Sequence, residues 1–171
     1  MREPEVTEHR FEDDGRIPNN PNLPLLLYPR ALEETDLSPS RAKELLAENG
    51  WGGAWVNGVF PYHHYHSTSH EVLAVVSGSA SITFGGPEAE TVEVAAGDVV
   101  VILAGVGHRN EGSSGDFSVV GAYPPGQENY DLRTGEQGER PKVLENIQNV
   151  ALPETDPLYG DRGPLVRRWT S

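Results

Sequence analysis

The chain has 171 residues and a formal net charge of −13, from 13 Lys and Arg against 26 Asp and Glu. This length suits a single domain. The acidic balance argues against nucleic acid as a partner, because binding it requires a basic surface, and also against anionic membrane surfaces. The sequence contains 0 Cys, which excludes disulfides, thiolate metal sites and cysteine nucleophiles.

The N-terminal part, residues 1–52, is predicted to pack on the core of the domain as an irregular arm, an edge segment and one helix. The apolar segment Leu23–Leu32 contains two prolines, which restrict it to an edge strand or an extended cover. Ser38 is a good N-cap and Gly50 suits a left-handed stop, so the sequence predicts a helix over Pro39–Asn49.

Nothing in the sequence resembles a targeting or membrane-spanning segment. The N-terminus is acidic and lacks the apolar run of a secretory signal. The longest apolar runs, such as Val99–Leu103, are far shorter than the roughly 20 residues of a membrane-spanning helix. We therefore expect a cytoplasmic protein.

Residues 53–123 change to short strands separated by glycine-rich turns. The predicted strands are Ala54–Phe60, Tyr62–His66, His70–Val76, Ser79–Phe84, Thr91–Ala95, Asp98–Leu103, His108–Glu111 and Phe117–Tyr123. Several of them alternate polar and apolar residues, as in a sandwich or jelly roll with one solvated face. Residues 124–171 are predicted to form a surface loop and a tail that packs back on the same domain.

Two of these strands, around Val72–Val76 and Val99–Leu103, are apolar on both faces, so their outer side needs a cover. Either a second subunit or the N-terminal segment with its helix can supply it. A large apolar patch is unusual on a monomer, and we therefore expect a homodimer.

A histidine-rich stretch, YHHYHSTSHE, carries the strongest chemical signal. His64 and His66 point to the same side of a strand, whereas His63 points to the other side. Glu71 follows on the next segment, and His108 can add a ligand from a distant part of the chain. Imidazole and carboxylate donors together suit one divalent Fe, Mn, Ni, Cu or Zn ion. The alternative is a solvated strand or a chance cluster.

The spacing of these residues resembles the first motif of the cupin superfamily, G-x5-H-x-H-x4-E-x6-G. The positions that match are Gly58, His64, His66, Glu71 and Gly78. The second cupin motif, G-x5-P-x-G-x2-H-x3-N, is met at Gly97, Gly105 and His108, with Leu103 in place of the proline and Gly112 in place of the asparagine.

This resemblance covers roughly residues 54–123 and implies an all-β double-stranded β-helix, the cupin jelly roll, with a metal ion inside the barrel. The phrases HHYHSTSHEVLAV, AGVGHRN, VGAYPPGQ and DPLYGDRGPL further resemble the small YjlB-type cupins. That group extends the resemblance over most of the chain but implies no substrate.

Three residues are candidates for the wall of a substrate pocket. Phe60 and Tyr62 share the inward parity of the ligating histidines, and Asn110 shares the face of His108. Simple core packing is an equal alternative for the two aromatic residues. His63 and His70 have the opposite parity, which predicts surface groups or groups that orient the ligands.

Two functions fit this sequence. The first is a metal-dependent enzyme acting on a small organic molecule, either a dioxygenase or an isomerase, with Glu71 able to act as a base. The second is a metal-dependent module that binds or senses a small molecule without turnover. The fold alone does not decide between these two functions. The observation that should distinguish them is whether the pocket around the metal is open and polar or sealed and apolar.

Overall fold

Nine strands and three short α-helices make up the part of the chain that the computed structural model describes, residues 5–169. Residues 1–4 of the predicted arm and residues 170 and 171 of the predicted tail lie outside it. The strands are β1 Thr7–His9, β2 Leu25–Tyr28, β3 Gly52–Asn57, β4 Glu71–Ser77, β5 Ser79–Phe84, β6 Glu90–Ala95, β7 Val99–Ile102, β8 His108–Ser113 and β9 Ser118–Tyr123. The helices are α1 Pro39–Glu48, α2 Lys142–Asn149 and α3 Pro164–Arg168, and a single 3-10 turn covers Glu34–Asp36.

The strands form two antiparallel sheets. The larger has the order β1-β2-β7-β4-β9-β3, and the smaller has the order β6-β5-β8. One hydrophobic core joins them, because side chains such as Ile82 and Phe84 from the small sheet cluster with Val72 and Val101 from the large one. The predicted all-β jelly roll is confirmed.

The central strands β4 and β7 are buried on both faces, as their apolar sequences predict. The side chains of Leu73 and Val100 are only 4% and 2% exposed within a single chain. The apolar N-terminal segment, α1 and the end of the tail pack into the same core through residues including Leu26, Leu46 and Trp169. The chain therefore covers its own sheet, and the reason for expecting a second subunit no longer holds.

Helix α1 forms where its end signals place it. The Ser38 hydroxyl accepts a hydrogen bond from the Arg41 amide at 3.3 Å, and Gly50 adopts φ +84° just after the helix. The Trp51 amide then donates to the Leu46 carbonyl at 3.0 Å, which closes the last turn over the buried Trp51 ring. The predicted helix is confirmed.

Three local predictions differ from the structure. The N-terminal arm contains the short strand β1, and the tail contains α2 and α3, so neither extension is irregular throughout. Residues 62–66 are not a continuous strand, because only His64 and Tyr65 form isolated bridges, to His108 and Arg133. Pro61 and the bend at residues 61–62 prevent a regular ladder there.

A buried carboxylate fixes the C-terminal tail on the barrel. Asp156, 0% exposed, accepts hydrogen bonds from the Tyr28 hydroxyl at 2.5 Å and from the Leu165 amide at 3.1 Å. It also accepts from the amides of Leu158 and Tyr159. The domain boundaries at residues 53 and 123 stay a prediction. None of the helices within residues 5–169 has the length and apolar character needed to cross a membrane.

Candidate metal centre

Strand pairing brings the four predicted metal ligands to one end of the barrel. His64 and His108 form an antiparallel bridge through two backbone hydrogen bonds of 3.2 and 2.9 Å. Glu71 begins β4, which pairs with β7 and β9 at the centre of the large sheet. His66 lies in the loop that leads into β4.

Three of these residues converge tightly. The ligand atoms of His66, Glu71 and His108 all lie within 4.8 Å of one another, and the three side chains are buried. Nε2 of His66 is 3.5 Å from Oε2 of Glu71, and Nε2 of His108 is 3.5 Å from Oε1 of the same carboxylate. Among the described residues, this is the group of His, Cys, Asp and Glu side chains whose geometry suits a metal ion.

Backbone carbonyls orient all three imidazoles in the same way. Nδ1 of His64, His66 and His108 lies against the carbonyls of Tyr62 at 2.9 Å, Asp131 at 2.5 Å and Val106 at 3.2 Å. A carbonyl only accepts, so we assign the proton of each ring to Nδ1, which leaves a lone pair on Nε2. Metal-binding histidines are oriented by such partners.

The resulting donor set fits a divalent cation. The Nε2 lone pairs of neutral His66 and His108 face carboxylate oxygens, so acceptors face acceptors unless a positive charge lies between them. Burial lowers the pKa of His66, but the charge and hydrogen bond of Glu71 outweigh this effect, and the pKa is raised. A proton on His66 thus relieves the same repulsion between facing acceptors that a bound metal ion would relieve.

His64 lies beside this group rather than within it. Its ring centroid is 4.0 Å from that of His108 and 6.2 Å from that of His66. Burial and the neighbouring His108 lower the pKa of His64 to about 3. The ring is therefore neutral at ordinary pH, as a metal ligand must be.

The carboxylate of Glu71 is held by a chain of hydrogen bonds. The Tyr123 hydroxyl donates to Oε2 of Glu71 at 2.9 Å, and Nε1 of Trp55 donates to the Tyr123 oxygen at 2.7 Å. Burial opposes ionisation of Glu71, but its hydrogen bonds and the adjacent imidazoles lower its pKa well below the usual range. Glu71 is therefore ionised, and these donors fix its orientation.

These ligands lie at the floor of a cavity of about 310 Å³. Its remaining wall is mostly apolar or aromatic: Trp55, Val56, Val59, Phe60, Leu73, Tyr123, Tyr130 and Leu132, with Asn57 and Gly58. No lysine or arginine of the described chain lines it. The cavity opens to solvent, since Phe60 and Leu132 on its wall are 45% and 44% exposed.

The comparisons with known proteins decide the family. A family model described as Cupin domain matches residues 55–120, which contain the four predicted ligands. The uncharacterised protein YjlB of Bacillus subtilis (strain 168) is 46% identical over 167 residues, which is 98% of each chain. The chain is a YjlB-type cupin. The resemblance inferred from the two motifs is confirmed.

Solved structures also align with this cupin, at lower similarity. Acireductone dioxygenase from Bacillus anthracis, with a cadmium ion in its active centre, aligns over 58% of this chain and 76% of its own, at 18% identity and a TM-score of 0.40. A variant of oxalate decarboxylase from Bacillus subtilis aligns over 78% and 30%, at 15% identity and a TM-score of 0.35.

The predicted pocket residues of the cupin lie in three different places. Phe60 lines the mouth of the metal cavity. Tyr62, 41% exposed, stacks on Phe60 at 5.1 Å and lines a neighbouring groove with His63. Asn110 lies outside the cavity lining, because its side chain accepts from the Gly112 amide at 2.9 Å and donates to the Ser113 hydroxyl at 3.2 Å.

The two histidines predicted to face away from the metal lie outside this cavity. His63 is half-buried, and burial lowers its pKa. His70 is buried against Trp169, with ring centroids 5.0 Å apart, and its Nδ1 accepts from the Ala104 amide at 2.9 Å. Burial lowers the pKa of His70 to about 4, so it serves as a neutral core residue rather than a surface group.

The sequence prediction missed four residues of the cupin site. Tyr123 and Trp55 hold Glu71, Tyr130 covers His66 with ring centroids 4.9 Å apart, and the Asp131 carbonyl orients His66. The last two belong to the Pro/Gly-rich stretch that was expected to be a surface loop. That loop is tied to the site by the Asp131 carboxylate, which accepts from the Ser67 amide at 2.7 Å.

Proposed function

We propose that this cupin binds one divalent transition metal ion and uses it to act on a small organic molecule. The ion, Fe, Mn, Ni, Cu or Zn, is held by His64, His66, Glu71 and His108. The observation that carries the proposal is the common orientation of three imidazoles, each with Nδ1 against a backbone carbonyl, beside the buried Glu71 carboxylate in an open cavity.

The protein residues hold and orient the components of the reaction. The three backbone carbonyls keep the imidazoles in one tautomer, and Tyr123 keeps the Glu71 carboxylate in place. A bound ion would supply Lewis-acid polarisation of an oxygen donor or, if it is redox-active, reaction with dioxygen. The mostly apolar and aromatic wall makes the surroundings of the ligands less polar than water, which strengthens electrostatic interactions there.

Oxygen-dependent chemistry, of the dioxygenase type, ranks ahead of isomerisation. Isomerases of phosphorylated sugars need cationic partners for the phosphate group, and no Lys or Arg of the described residues lines the cavity. A neutral organic molecule with two oxygen donors, such as an enol, a diketone or a catechol, suits the uncharged wall.

Glu71 is a weak candidate for a base, although that role was its sequence-based prediction. A carboxylate whose pKa is lowered takes up a proton reluctantly. Burial and the charge of Glu71 raise the pKa of Tyr123, so its hydroxyl keeps its proton at 2.9 Å from the carboxylate. We therefore assign Glu71 first to metal binding and Tyr123 to its positioning.

The scarcity of bases in the cavity favours one alternative, a metal-dependent binding or sensing module without turnover. Among the residues described, Glu71 is the carboxylate in the lining, and it already faces His66 and His108. If no substrate proton needs to move, an apolar pocket with a metal floor is sufficient for binding. This function differs from the first in having no product.

The test is to load the protein anaerobically with Fe(II), or with Mn, Ni, Cu or Zn, and to add a panel of enols, diketones and catechols. Oxygen uptake and mass spectrometry of products measure turnover. We expect turnover with at least one metal form and none with the metal-free protein. Tight binding of panel members without product from any metal form would establish the binding module instead.

A further inference from the structure

We infer that the ligand of this cupin has a small oxygen-donor head and an apolar or aromatic arm, and that the arm lies across an apolar rim at the cavity mouth. The apolar rim consists of Val56, Phe60, Tyr130 and Leu132. The inference rests on the proposed function, because it assumes that the head reaches a metal ion at the cavity floor.

The exposed apolar surface of this protein is concentrated at that mouth. The four rim side chains are 40%, 45%, 41% and 44% exposed, and all four line the metal cavity. Among the residues that the structure describes, six large apolar side chains are exposed in this way, and the other two are Tyr62 and Tyr159. Single exposed apolar residues are ordinary, but a cluster around one opening marks a binding surface.

The rim is preformed rather than a set of loose side chains. Tyr130 stacks on Tyr123 with ring centroids 4.4 Å apart and meets the edge of His66 at 4.9 Å. The ring of Phe60 stacks on Tyr62, and its carbonyl accepts from the Asn110 amide at 2.9 Å. Preorganised side chains lose little entropy when a ligand packs on them.

Size and charge indicate how the ligand is divided. The cavity of about 310 Å³ lies within the range for small-molecule sites, roughly 300–1,000 Å³, and its opening is bordered by the apolar rim, so a ligand whose head reaches the floor has its other end beside that rim. Glu71 gives the lining a negative charge. No Lys or Arg among the described residues lines the cavity, so nothing there would balance a negative charge on the ligand. The part outside the cavity is therefore uncharged and gains most by covering the apolar rim.

Hydroxamic acids are suitable probes, because acetohydroxamic and octanohydroxamic acid share one metal-binding head and differ only in the arm. The protein is loaded with Co(II), whose visible spectrum reports ligands that reach the metal. We expect octanohydroxamic acid to bind about ten-fold more tightly or better, since its additional methylene groups are removed from water when they pack against the rim.

Phe60→Ser and Leu132→Ser should each reduce the affinity for octanohydroxamic acid far more than that for acetohydroxamic acid. Tyr159→Ser is the matched control, since Tyr159 is 39% exposed and lies outside the cavity lining, and it should leave both affinities unchanged. Cobalt content and thermal unfolding verify that each variant is folded and loaded.

Equal affinities of the two probes for the wild-type protein would overturn the inference while leaving the proposed metal site intact. An unchanged preference in both rim variants would overturn it as well. If neither probe changes the spectrum of the loaded protein, the proposed function and the inference both fail. Dissociation of an oligomer by the rim variants, with the probe preference unchanged, would make the rim a contact between two copies of this chain.

Discussion

At the scale of single residues, the proposed metal centre depends on the backbone and side-chain groups that orient the ligands as much as on the ligands. Each of the three imidazoles has a backbone carbonyl at Nδ1, and Glu71 has the Tyr123 hydroxyl at Oε2. Partners of this kind set the tautomer and direction of a ligand before the metal binds. Their removal should therefore be visible in metal affinity.

Tyr123→Phe should weaken metal binding by about ten-fold or more, because Glu71 loses a donor and the Trp55 indole loses its acceptor. Competition with a chromophoric chelator measures the affinity. Tyr28→Phe is the matched control, since it also removes a buried hydroxyl hydrogen bond to a carboxylate, that of Asp156. An equal loss of affinity in both variants would show that the effect comes from stability alone.

Bound metal should be released as the pH falls. The glutamate keeps its charge because its pKa is lowered, and His64 stays neutral until about pH 3. The pKa of His66 is raised above the ordinary 6.5, so His66 is the ligand at which protons first compete with the metal. Occupancy by elemental analysis should fall as the pH is lowered through the range in which imidazoles take up protons. Constant occupancy across that range would contradict this assignment.

The sequence could indicate the four candidate ligands but not the residues that orient them. His64, His66 and Glu71 lie within one short stretch whose spacing is visible in the sequence. Tyr123 is distant in the chain and meets Glu71 only because β4 pairs with β9 in a register that places Val72 opposite Ala122. The apolar residues of β9 indicate a strand, but they do not show which residue of β4 lies beside Tyr123 at its end.

At the scale of secondary-structure elements, prediction succeeded where local signals are strong. Helix α1 has a proline at its start, a side-chain N-cap and a left-handed glycine after it. Helix α2 has no side-chain cap hydrogen bond, and α3 has only 5 residues, so tertiary packing rather than local preference forms them. The loop that contains Tyr130 and Asp131 has the composition of an ordinary surface loop. Its role in the site becomes visible only in the structure, where both residues contact His66.

Asp156→Ala should lower the free energy of unfolding by about 3 kcal/mol, measured by urea denaturation, because it leaves the Tyr28 hydroxyl and buried amides without an acceptor. Asp161→Ala, at an exposed position of the same tail, should change it little. Equal effects of the two substitutions would mean that Asp156 does not anchor the tail.

At the scale of the whole molecule, the homodimer stays a prediction, but the argument from two strands that need an outer cover no longer supports it. The faces of β4 and β7 are covered within one chain, so a dimer interface would have to use another surface. Light scattering at micromolar concentration and moderate salt measures the mass directly. A monomer would agree with the self-covered sheet, whereas a dimer would direct attention to the apolar rim.

The central claim is that His64, His66, Glu71 and His108 together hold one divalent ion. The most direct measurement is elemental analysis of the purified wild-type protein and of four alanine variants after identical metal loading. We expect close to one ion per chain in the wild-type protein and in His63→Ala, and loss of most of it in His64→Ala, His66→Ala and His108→Ala. Equal metal content in His63→Ala and His66→Ala, or no metal in the loaded wild-type protein, would contradict the account.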